Sequence, residues 1–93
     1  MLEVTLKNKV IKRLRKVPDL WFFKCSDKFQ SGIPDIIGCY HGRMFALELK
    51  SEFGKLTKLQ EHTLHTLMTA GALTAVIRGM DELSEFIKEI INE

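Results

Sequence analysis

Three charged residues, Asp35, Glu48 and Lys50, stand in a stretch otherwise apolar enough to be core. It reads Ser-Gly-Ile-Pro-Asp over 31–35, Ile-Ile-Gly-Cys-Tyr over 36–40, His-Gly-Arg, then Met-Phe-Ala-Leu-Glu-Leu-Lys over 44–50. Charges in such a setting cost folding free energy, which points to a use other than stability. Two carboxylates with a lysine at Glu-x-Lys spacing suit metal-assisted phosphodiester hydrolysis. Hard oxygen ligands select Mg²⁺ or Mn²⁺ and leave positions open for water and phosphate. Such an ion polarises the phosphoryl group and lowers the pKa of bound water. A lysine beside it orients that water and balances the charge of the pentacovalent transition state. Glu-x-Lys alone carries little information. Its placement on a predicted strand, opposite a Pro-Asp that opens the preceding strand, is much rarer.

The elements that must position these groups can be read from the chain. If His41-Gly42 is a two-residue turn, Tyr40 faces Arg43, and that register sets Asp35 directly opposite Glu48. Their Cβ atoms would then be roughly 4.5–5.5 Å apart. A four-residue loop keeps the two on one face, whereas a three-residue loop separates them unless a bulge intervenes. Alternation puts Glu48 and Lys50 on one face and Phe45, Leu47 and Leu49 on the other. Two adjacent carboxylates repel unless a cation sits between them.

Around this hairpin, residues 2–17 fit a helix with Leu2, Leu6, Val10, Leu14 and Val17 on one stripe, ended by Pro18-Asp19. Glu3 lies on that stripe, and two readings stand: a carboxylate aimed at the site, or one escaping to water from a frayed first turn. Leu20–Ser26 has the aromatic content of a strand, with Trp21, Phe23 and Cys25 on one face and Phe22, Lys24 and Ser26 on the other. Lys24 either snorkels at a sheet edge or reaches phosphate. A polar loop over 27–34 follows, with Gly32 and Pro34 shaping the entry to Asp35.

After a loop centred on Gly54, a helix is predicted from Thr57 to about Ala70, stopped by Gly71, with Leu56, Leu64, Leu67 and Met68 on its buried face. Gln60 falls in the middle of that face. It completes a capping box with Thr57, serves the active site, or does both. His62 and His65 lie off the stripe and read as solvated. Leu73–Arg78 is a β-branched strand, and Asp81 is placed to cap a last helix striped by Leu83, Phe86, Ile87, Ile90 and Ile91. The order α-β-β-β-α-β-α, a small mixed sheet flanked by helices, belongs to the α/β class.

The chain has 93 residues, the size of a single domain over 1–93, small enough for dimerisation to add useful stability. Net charge is only +2 but uneven: Lys7, Lys9, Lys12, Arg13, Arg15 and Lys16 crowd the first helix, and acids crowd the last. A basic face of this kind suits a polyanion, although solvated helices are often charged. Lys7 and Arg13, with Lys24, are the candidate contacts to nucleic acid. Cys25 and Cys39 are isolated and read as reduced residues of an intracellular protein. No apolar run reaches membrane-spanning length, and Met1-Leu2-Glu3 does not open a signal peptide.

Gly32-Ile33-Pro34-Asp35, followed after a short hairpin by Glu48-Leu49-Lys50 and by Gln60 on a helix, resembles the VRR-NUC (virus-type replication-repair nuclease) domain of the PD-(D/E)xK nuclease superfamily. The resemblance runs over nearly the whole chain and implies a restriction-endonuclease-like core. It further implies that Asp35, Glu48 and the backbone carbonyl of Leu49 ligate the metal, that Lys50 is the catalytic lysine, that Glu3 is the first-helix acid completing the site, and that Gln60 adjoins it. A stand-alone domain of this length is similar to phage-type members, which are homodimers acting on branched DNA such as four-way (Holliday) junctions, in the cytoplasm of a bacterial host. Members fused to larger repair proteins favour flaps instead. Two readings from other classes remain: a non-catalytic nucleic-acid-binding module of the same fold, and a structural dimer using the apolar last helix.

Overall fold

The computed structural model describes residues 2–25 and 32–92. Its elements follow the expected order: α1 (Glu3–Leu14), β1 (Leu20–Lys24), β2 (Ile36–Tyr40), β3 (Arg43–Leu49), α2 (Lys58–Thr69), β4 (Leu73–Ile77) and α3 (Met80–Ile91). The four strands form one sheet in the order β1-β2-β3-β4. The first three run antiparallel, and β4 lies parallel to β3 after the crossover through α2.

The β2–β3 hairpin has the register read from the sequence. Tyr40 pairs with Arg43, Gly38 with Phe45 and Ile36 with Leu47. His41 and Gly42 both adopt positive φ, 48° and 84°. Such a two-residue turn has a twist that matches the flanking strands, and its second position suits glycine.

Strand alternation divides the sheet into two unlike faces. Ile36, Phe45, Leu47, Leu49 and Ile77 point to one side, where they pack with Leu6, Val10 and Leu14 of α1 and Leu83, Phe86 and Ile90 of α3. Leu20 and Phe22 join the margin of that core. Leu83, Phe86, Ile87 and Ile90 of the α3 stripe are therefore spent inside the chain, whereas Ile91, expected on the same stripe, is 42% exposed because it lies in the last turn. Little of the stripe is left for a structural dimer.

The opposite face carries α2, and here the expected burial is not met. Only Leu64 of that helix is buried; Leu56 and Leu67 are half-buried, and Met68 is 53% exposed. A twelve-residue helix packed mainly against β4 leaves much of a four-stranded face uncovered. Trp21 and Phe23 on β1 remain exposed as a result.

Boundaries also differ from expectation, and β4 ends at Ile77, one residue short of Arg78. α1 stops at Leu14, because Lys16 and Val17 bond back only three residues, to Arg13 and Leu14, in tighter turns. Val17 stays buried nonetheless. β1 ends at Lys24, and Ser26, like most of the 27–34 loop, lies outside the described residues. Gly79, not Asp81, is the N-cap of α3. Asp81 sits in the first turn, where its charge still favours the helix dipole.

Candidate active site

The site lies at the end of the sheet where β2 begins and β3 finishes. Pro34 is fully buried, and Gly32 has φ 87°. A Cβ on Gly32 would lie 2.7 Å from Leu59 Cγ of α2, so a glycine lets this segment pass close to the helix before Asp35. Carrying the hairpin register one residue past Ile36–Leu47 brings Asp35 opposite Glu48. The backbone N–H of Leu49 donates to Asp35 Oδ2 at 2.7 Å, and the Cys25 N–H donates to the Asp35 carbonyl at 2.8 Å. Asp35 is thus fixed by both neighbouring strands.

Glu48 is 3% exposed, the buried charged residue of a strand that is apolar from Met44 to Leu47. Its Oε1 accepts from Gln60 Nε2 at 3.2 Å, while Oε2 has no hydrogen-bond partner. Burial, then the neighbouring Asp35 carboxylate, push the Glu48 carboxyl up to about 8; Lys50 opposes the shift and Glu3 adds to it. An ionised Glu48 thus leaves a buried oxygen unsatisfied, and either a proton shared with Asp35 or a cation relieves it.

Gln60 closes the capping box and also contacts Glu48. The Thr57 hydroxyl accepts from the Gln60 N–H at 3.1 Å, and Gln60 Oε1 accepts from the Thr57 N–H at 2.9 Å, closing the capping box. The other end of the same amide reaches Glu48. Cap and site share one side chain.

Lys50 follows Glu48 on the same face, half-buried. Its backbone N–H bonds to the Ile77 carbonyl at 3.1 Å, which continues the parallel ladder to this end of the sheet. The loop behind it is tied down by Arg78, a residue the sequence pattern did not single out. Arg78 Nη1 donates to the Ser51 carbonyl at 3.0 Å and to the Gly54 carbonyl. The Arg78 N–H in turn donates to Glu82 Oε1 at 2.6 Å. An arginine just past a β-branched strand is a weak signal, since its partners lie 24 and 27 residues away.

Glu3, Val4 and Lys7 of α1 line a cavity of about 260 Å³ with Asp35 and Leu49. Glu3 is exposed and faces this space, so the first helix does bring its acid to the site. Among the described residues, no three carboxylate, histidine or cysteine side chains form a ready-made ligand cluster. The close pair is Asp35 and Glu48, with Glu3 across the cavity. Lys7 shares that cavity, Arg13 is exposed in the last turn of α1, and Lys24 lies at the free edge of β1. His62 and His65 are exposed, as expected, and Cys25 and Cys39 are free and half-buried. Burial, then the nearby Asp35 charge, raises the Cys25 thiol above its ordinary range.

No protein-family model and no curated protein matches the chain. Solved structures do. One, titled "VRR_NUC domain", is similar with a TM-score of 0.78 and 20% identity, over 92% of this chain and 94% of that one. Another, titled "VRR_NUC domain protein", is similar with a TM-score of 0.76 and 18% identity, over 99% of this chain and 89% of that one. The chain has the fold of the VRR_NUC domain.

Proposed function

We infer that this chain is a metal-dependent endonuclease that hydrolyses DNA phosphodiester bonds, a homodimer acting on branched DNA such as four-way junctions. The observation that carries this reading is the facing pair Asp35 and Glu48, with an unsatisfied buried oxygen on Glu48 and an ammonium group, Lys50, on the same face. The fold shared with VRR_NUC structures adds to it.

The donor set fits a hard divalent cation. Asp35 Oδ1, Glu48 Oε2 and the Leu49 carbonyl would hold Mg²⁺ or Mn²⁺, since each is an oxygen and both side chains are already oriented by other bonds. The bound ion supplies Lewis-acid polarisation of the phosphoryl group and acidifies its water. The residues do the rest. Leu49 N–H and Gln60 Nε2 each occupy one oxygen of a carboxylate and so aim the other. Lys50 orients the attacking water and offsets the charge that builds on the phosphoryl oxygens. Glu3 adds negative charge across the cavity, and Lys7 beside it meets the substrate backbone. Two copies related by a two-fold axis would present two such sites to opposing strands.

Cleavage of a panel of four-way junction, flap, duplex and single-stranded DNA, with Mg²⁺, Mn²⁺ or chelator, tests chemistry and substrate together. Metal-dependent nicking of the junction is expected, lost in Asp35→Ala and Lys50→Ala. Full cutting by both variants in contaminant-free preparations overturns the reading.

A further inference from the structure

The face of β1 away from the core carries two large, mostly exposed aromatic rings. Trp21 is 60% exposed and Phe23 59%. Their rings lie parallel to within 15°, with centroids 6.5 Å apart. That separation is close to twice the rise per stacked base, about 6.8 Å. Two side chains on alternate residues of an edge strand are locked into this spacing by the pleat.

A groove of about 390 Å³ runs along the free edge of the same strand, lined by Ile11, Arg15, Leu20–Phe23 and Lys24. Arg15 and Lys24 are exposed, and among the described residues no carboxylate lines the groove. The rings and the cations meet at this edge from opposite faces of the sheet, since Trp21 and Phe23 alternate with Phe22 and Lys24 and α1 packs on the core side. A single strand of nucleic acid crossing the edge would set bases on the rings and phosphates along the cations. A second copy of this chain suits the surface less well. A two-fold interface would bring Arg15 and Lys24 of both copies together, with no acid among the described residues of the groove to offset them.

The patch is also continuous with the site. Phe23, Ile37 and Ala46 form the row of side chains next to Cys25, Asp35 and Glu48 on one sheet face. Phe23 is one side-chain repeat along β1 from Cys25, about 6.8 Å.

We propose that Trp21 and Phe23 form a base-stacking platform that binds unpaired nucleotides beside the cleavage site, with Arg15 and Lys24 along the phosphate path. This rests on the nuclease reading and extends it: the substrate would carry an unpaired stretch next to the bond that is cut. A fully paired duplex cannot offer its base faces to the rings.

The chain has one tryptophan, so its emission reports the platform directly. The wild-type protein in EDTA is titrated with short oligothymidylate and with blunt duplex of equal length. Saturable quenching by the single strand, and little by the duplex, is expected. Phe23→Leu should weaken oligothymidylate binding roughly tenfold, and Phe23→Tyr, which keeps the ring, should restore it. Absence of quenching, or an equal response to duplex, overturns the platform. So does a Trp21→Ala, Phe23→Ala protein that binds labelled oligothymidylate like wild type but sediments as a smaller species, which makes the rings an interface between copies. Cutting is scored on the same preparation with Mg²⁺. Junction cleavage without quenching removes the platform and leaves the nuclease reading, and quenching without cleavage of any substrate does the reverse.

Discussion

Gln60 Nε2 donates to Glu48 Oε1 at 3.2 Å, so the residue that closes the N-terminal cap of α2 also holds a buried carboxylate of the candidate site. The start of the helix and the orientation of Glu48 are therefore coupled. Gln60→Ala should cost about 1–3 kcal/mol, because it strips a buried acceptor of its partner as well as half of the capping box. Thr57→Ala, which touches only the cap, should cost about 1 kcal/mol. Urea unfolding at neutral pH measures both. Equal losses would mean that the contact with Glu48 contributes nothing.

The raised Glu48 carboxyl sets a pH dependence in the metal-free protein. With its folded value near 8, the native state keeps a proton that the unfolded chain releases in the ordinary carboxylate range. Unfolding then releases a proton between those values, so stability falls as pH rises through that window and levels off above about 8. The melting temperature in EDTA should drop between pH 5 and pH 8, and Glu48→Gln should flatten the slope. Mg²⁺ or Mn²⁺ should raise the melting temperature more at pH 8 than at pH 6, since it binds the deprotonated pair. An unchanged slope in Glu48→Gln would assign the pH dependence elsewhere.

Lys50 and Asp35 are expected to separate in their effects. Lys50→Met should lower single-turnover cleavage by about 10²- to 10³-fold, the magnitude typical of a lost transition-state charge partner, with metal affinity kept. Asp35→Asn should lose metal binding itself. Calorimetry with Mn²⁺, run beside the cleavage assay, distinguishes the two. Loss of metal binding in Lys50→Met would instead place the lysine among groups that build the site.

Arg78 should behave as a positioning residue. Its guanidinium bonds two carbonyls of the loop that follows Lys50, a reach that a lysine ammonium does not reproduce. Arg78→Lys should loosen residues 51–54, seen as faster amide hydrogen exchange there, and slow cleavage while leaving the metal affinity of Asp35 and Glu48 unchanged. Protection equal to wild type would remove this role.

The sequence by itself determined the element order, the hairpin register and the division of β3 into a core face and a charged face. Each follows from local rules: period-two alternation, a two-residue turn at His41-Gly42, and apolar stripes at helical spacing. Asp35 therefore meets Glu48 for a reason visible in the chain. The capping box at Thr57 and Gln60 was equally legible.

Tertiary structure decided the rest. How deeply Glu48 is buried, and hence how far its carboxyl is shifted, depends on elements packed around the end of the sheet. The second bond of Gln60 and the hold of Arg78 on the loop after Lys50 join residues far apart in sequence, which periodicity does not encode. The incomplete cover of the sheet by α2 misled the burial expected for Met68 and left Trp21 and Phe23 open. An apolar stripe shows that a helix can pack, but only the assembled layers show how much of a face it covers.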